Sequence, residues 1–122
     1  MPDYWFDHIH LMSSKPTKTA EFYEKMFGAT RVSTLDLGDG RDMVNLDLNG
    51  MRILITQRMS DDGQTGLAHF GIRTDNLDEA VNDLKARGVE FTLGSREVRP
   101  GLKISFFLAP EDVSIELQEG SI

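Results

Sequence analysis

Phe6-Asp7-His8-Ile9-His10-Leu11-Met12 near the start of the chain and Gly66-Leu67-Ala68-His69-Phe70-Gly71-Ile72 near its middle are the key to the architecture. Both read as strands. His8 maps onto His69 at an offset of 61. The elements after each strand repeat as well. Ser13, Ser14 and Pro16 punctuate the first. A helix then carries Ala20, Tyr23 and Phe27 at i, i+3 and i+7, with Phe22 and Met26 beside them. Gly28 is placed to end it. Three strand-like runs come next, Thr30–Leu35, Met43–Leu48 and Met51–Gln57. Gly38-Asp39-Gly40 and Asn49-Gly50 separate them, and Asn-Gly between two strands is a hairpin signal.

The second half keeps that order. The strand over Leu67–Thr74 leads to Asn76, an N-cap with Glu79 three residues later. Leu77, Ala80, Val81 and Leu84 form the apolar stripe of a helix that stops at Gly88. Val89–Leu93, Lys103–Leu108 and Val113–Gln118 read as strands. Gly28 maps onto Gly88 at 60, and Ile53-Leu54-Ile55 onto Ile115-Glu116-Leu117 at 62. So small a drift marks a duplicated βαβββ unit. The expected fold class is α+β, one domain of two tandem βαβββ modules, about 5–58 and about 66–120. The polar stretch Ser60–Gly66 joins them. Each module alone exposes an apolar sheet face, which is why two are needed.

Composition narrows the function. The chain has 122 residues, 39% hydrophobic and 27% charged, as in an ordinary globular domain. Its formal charge of −7 argues against a nucleic-acid partner and an anionic membrane surface. Cysteine is absent, which excludes disulfides, thiolate zinc sites and thiol nucleophiles. No apolar run reaches the roughly 18 residues of a membrane helix. Met1–Asp7 lacks a basic flank and an apolar region, so no signal peptide is expected and the cytoplasm is the expected compartment. No Walker loop, dinucleotide fingerprint or serine nucleophile elbow is present.

His8, His69 and Glu116 carry the chemistry. Two hold the same place in the first strand of each half, and the third lies on the last strand of the second. If the two sheets face each other about a pseudo-twofold axis, two imidazoles and one carboxylate converge. That is a common ligand set for one divalent ion, with Fe, Mn, Co, Ni and Zn all admissible. The competing reading is a pair of hydrogen-bonded sheet histidines and a solvated glutamate. His10 lies two residues from His8 and therefore on the same strand face. It is either a catalytic acid or base beside the metal or a hydrogen-bonded histidine of the cavity wall. Arg52 and Arg73 fall on the inner faces with Leu54 and His69, either to pair with a substrate carboxylate or to end in solvent. Trp5, Phe106 and Phe107 either line a pocket or pack the core. Arg96, Arg99 and Lys103 form a basic cluster on an expected loop.

These motifs resemble the vicinal oxygen chelate superfamily, which includes glyoxalase I, methylmalonyl-CoA epimerase, extradiol dioxygenases and bleomycin resistance proteins. The resemblance rests on Asp7-His8-Ile9-His10-Leu11, Phe22-Tyr23, Phe27-Gly28, Gly66 to Ile72 and Ile115-Glu116-Leu117. It implies curved, cup-like mixed sheets, a homodimer and a small-molecule substrate. It also implies a metal on His8, His69 and Glu116. The fourth family ligand falls at Leu54, which has no donor atom. Gln57 lies nearby, but strand alternation turns it to the other face. The resemblance implies a lyase or isomerase of the glyoxalase I type, in which the metal stabilises an enediolate and Glu116 or His10 moves the proton. Its alternatives are an extradiol-type dioxygenase using the three-ligand set and a metal-free drug-binding protein.

Overall fold

The structure is a computed structural model that describes residues 2–121. In chain order the elements are β1 (Trp5–Ser13), α1 (Pro16–Phe27), β2 (Thr30–Asp36), β3 (Asp42–Leu48) and β4 (Met51–Gln57). They continue with β5 (Gly66–Arg73), α2 (Leu77–Ala86), β6 (Phe91–Arg99), β7 (Leu102–Ala109) and β8 (Val113–Glu119). The fold is α+β, and the βαβββ order occurs twice.

Residues 8–68 form one compact unit. The second unit is built from His69 onward together with the residues up to Asp7. In the first unit the strand order is β2-β3-β4-β1, with β1 parallel to β4 and β3 antiparallel to both neighbours. In the second it is β5-β8-β7-β6, with β5 parallel to β8 and β7 antiparallel to both neighbours. Each unit thus repeats one mixed four-stranded sheet.

Each helix covers one face of its own sheet. In the first unit Ala20 packs with Ala29, Val44, Leu46, Ile53 and Ile55. In the second Leu77, Ala80 and Val81 pack with Leu117, flanked by Ile72 and Phe107. Side chains alternate along a strand, so the neighbours of these core residues point away from the helix. His8, His10, Asn45, Leu54 and Thr56 are on that other face in the first unit. His69, Phe106 and Glu116 are on it in the second.

Local signals act as expected at the element ends. Gly28 ends α1 at φ 75, its N–H bonding back to Glu24. Asn76 caps α2 by accepting the Glu79 N–H at 3.0 Å. Asn49 and Gly50 both take positive φ, as a two-residue hairpin turn requires. The stripe of α1 is narrower than expected. Ala20 and Tyr23 meet the sheet, while Phe22, Met26 and Phe27 are exposed.

One expectation is corrected. Arg96, Arg99 and Lys103 are not on a loop, because β6 continues to Arg99 and pairs with β7 across the Pro100-Gly101 turn. Register shifts along β6 hide the alternation that would have revealed the strand. Lys103 stands opposite Glu97 and 3.7 Å from Asp78, so this cation of the cluster meets a carboxylate. Among the described residues no helix is long and apolar enough to cross a membrane.

Candidate metal centre

β1 brings His8 and His10 to the helix-free face of the first unit. His8 is completely buried. The two rings lie 5.9 Å apart, edge to face at 64°. Their ligand nitrogens are within 4.8 Å of one another. His10 Nε2 lies 2.7 Å from the Thr56 hydroxyl on β4. The parallel register places Arg52 opposite His8 and Leu54 opposite His10. Leu54 is fully buried. Gln57 falls on the helix side of β4 with Ile53 and Ile55, as alternation requires.

β5 and β8 do the corresponding work in the second unit. His69 Nε2 stands 3.7 Å from Glu116 Oε1, and both side chains are nearly buried. That separation is less than the sum of two metal–ligand bonds of about 2 Å each, so one cation fits both donors. The Phe106 and His69 rings meet edge to face, with their centroids 5.0 Å apart. Glu116 is paired with Gly71 on β5 and with Phe106 on β7. An imidazole and a carboxylate on two adjacent strands form a borderline-hard N,O donor pair suited to Mn, Fe, Co, Ni or Zn.

Arg73 lies on the same face of β5 as His69. Its guanidinium is 4.9 Å from the Trp5 ring and 4.0 Å from the Asp7 carboxylate. Trp5 is therefore a platform for a cation, and Phe107 belongs to the core under α2. Phe6 stacks on Phe70 at 5.7 Å, which fixes this part of β1 against β5 within the second unit.

Three residues of these faces escape a reading of the sequence. Asp7 holds Arg73, and Thr56 holds His10. Asn45 is the register partner of Leu54 and is buried; its Oδ1 has no hydrogen-bond partner among the described residues. A signal for Asn45 exists, since it interrupts the apolar run Met43-Val44-Asn45-Leu46. Thr56 and Asp7 show none, because their roles depend on the β1–β4 register and on contact with Arg73.

The sequence pattern of the Glyoxalase/Bleomycin resistance protein/Dioxygenase superfamily matches residues 5–117. The chain belongs to this superfamily. It is 26% identical over 120 residues to the uncharacterized protein YwkD of Bacillus subtilis strain 168, covering 92% of this chain and 94% of that one. The crystal structure of hypothetical protein BH1468 from Bacillus halodurans C-125 is similar at a TM-score of 0.82 and 18% identity, covering 98% of this chain and 96% of that one. Methylmalonyl-CoA epimerase from Mycobacterium tuberculosis is similar at a TM-score of 0.75 and 20% identity, covering 96% and 88%. At these identities the solved structures support the superfamily fold.

Proposed function

We propose that this superfamily member is a divalent-metal-dependent enzyme in which His8, His69 and Glu116 hold the ion. The observation that carries the reading is the 3.7 Å approach of His69 Nε2 to Glu116 Oε1. The family resemblance implies ligands at all three positions, and the repeat pairs His8 with His69. The buried His8 is the repeat equivalent of His69. When bound, the ion acts as a Lewis acid toward two adjacent oxygens of a small-molecule substrate. Glu116 moves the substrate proton, and His10 stands beside His8 as a further group for that proton or for the ion. Arg73, steadied by Trp5 and Asp7, and Arg52, opposite His8, bind an anionic part of the substrate.

The reaction class favoured is a lyase or isomerase of the glyoxalase I type, and fold similarity to an epimerase supports that class. Leu54 supports a second reading, an extradiol-type dioxygenase, because a three-ligand set leaves positions for substrate and oxygen. A cytoplasmic homodimer is part of the proposal.

Metal content, measured in the wild type and in His8→Ala, His69→Ala and Glu116→Ala, tests it. About one divalent ion per chain, lost in each variant, is expected. Turnover of a 2-oxoaldehyde–thiol adduct then supports the lyase or isomerase, and oxygen uptake with a catechol supports the dioxygenase. Metal content unchanged by all three substitutions, or no metal at all, overturns both and leaves a metal-free drug-binding protein.

A further inference from the structure

The two modules differ at one pair of register positions, and the difference singles out His10. In the second unit Glu116 on β8 is paired with Gly71 on β5. In the first, Leu54 on β4 is paired with His10 on β1. The repeat maps Leu54 onto Glu116 and His10 onto Gly71, at offsets of 62 and 61. Module two therefore carries a donor on its last strand and no side chain across from it. Module one carries no donor at the equivalent position of its last strand and an imidazole across from it. The donor has moved to the neighbouring strand, roughly 4.8 Å away, at the same level and on the same face.

We propose that His10 is a metal ligand, supplying the donor that Leu54 cannot. This rests on the metal reading above and adds His10 to the donors that the first unit supplies. The geometry within the first unit supports it. The ligand nitrogens of His8 and His10 are within 4.8 Å, and two metal bonds span about 4 Å. A small swing of either ring closes the gap. The hydroxyl of Thr56, 2.7 Å from His10 Nε2, orients the ring. A neutral imidazole that donates from Nε2 has its lone pair on Nδ1. The Thr56 hydroxyl can accept from Nε2–H or donate to Nε2, and in the first tautomer it is the second partner usual for a metal-bound histidine.

The exchange has a chemical consequence. A neutral imidazole in place of a second carboxylate leaves the bound ion with more net positive charge. A set of three nitrogens and one oxygen also favours Co, Ni and Zn over Mn and Mg. With four protein donors, fewer positions remain for substrate and oxygen together, which weighs against the dioxygenase.

Cobalt(II) titration, read by calorimetry and by the visible ligand-field bands, tests the proposal in the wild type, His10→Leu, His8→Ala and the double variant His10→Gly/Leu54→Glu. His10→Leu should lower Co(II) affinity by more than the ~10–100-fold typical of a supporting residue and alter the bands. The double variant transplants the arrangement of module two, and it should restore affinity while shifting preference toward Mn(II). Should His10→Leu fail to fold, the wild type itself decides. Spin-echo spectra of its Cu(II) form with 15N-labelled histidine should count three imidazoles. Wild-type affinity and bands in His10→Leu, with binding abolished in His8→Ala, would overturn the ligand role and keep the metal reading; so would a count of two. Wild-type binding in His8→Ala as well would overturn both.

Discussion

His69 Nε2 lies 3.7 Å from Glu116 Oε1, across the adjacent parallel strands β5 and β8. An imidazole and a carboxylate so close either pair with each other or share a cation. Glu116→Gln separates the two states. It keeps the volume and removes the charge. Zn(II) affinity should fall by at least ~100-fold, more than the 10–100-fold typical of residues that merely support a ligand. Calorimetric titration measures it, and a loss under threefold would remove Glu116 from the ligand set.

Metal removal should also be visible in stability. A ligand bound only by the native state adds about 4 kcal/mol when its concentration is 1,000 times Kd. Thermal unfolding with a chelator, against saturating Zn(II), should show a melting temperature lower by about 10 °C or more for a chain of this length. The shift should vanish in His69→Ala. A shift that persists in that variant would place the stabilising ion elsewhere.

Tyr4 makes stability depend on alkaline pH. Burial raises its pKa above the ordinary tyrosine value, and its hydrogen bond to the Asp83 carboxylate, at 3.1 Å, adds to the effect. The folded state thus favours the neutral phenol. Its contribution is fully present below about pH 10, the unfolded value, and is lost as pH rises through the higher folded pKa. Urea unfolding at pH 8 and pH 11 should show a larger loss in the wild type than in Tyr4→Phe. Equal losses would show that the phenol does not carry the effect.

Gly120 follows β8 at φ 91, and a Cβ added there would run into the backbone carbonyl of Gly101 in the β6–β7 turn. Gly120→Ala combines that clash with an unfavourable φ. It should cost roughly 1–3 kcal/mol. Denaturant midpoints test this. Gly94→Ala, where a Cβ meets nothing within 4 Å, serves as the control.

The duplicated βαβββ order, both helices, the caps at Gly28 and Asn76, and the strands that carry His8, His69 and Glu116 are all legible along the chain. These are local or periodic features. A left-handed glycine, a capping side chain and a repeat offset each act over a few residues or recur at a fixed interval. The superfamily resemblance drew on the same stretches. The folded chain alone reveals whatever depends on the alignment of strands far apart in sequence. Register placed His10 opposite Leu54 and Thr56 within reach of its ring. The same register left Gly71 opposite Glu116. It also extended β6 through Arg99, where its irregular register with β7 had erased the alternating pattern. Contacts from Trp5 and Asp7 then gave Arg73 its place. Strand pairing joins backbone groups whatever their side chains, so a sequence shows which residues share a strand face but not which residue stands across from them.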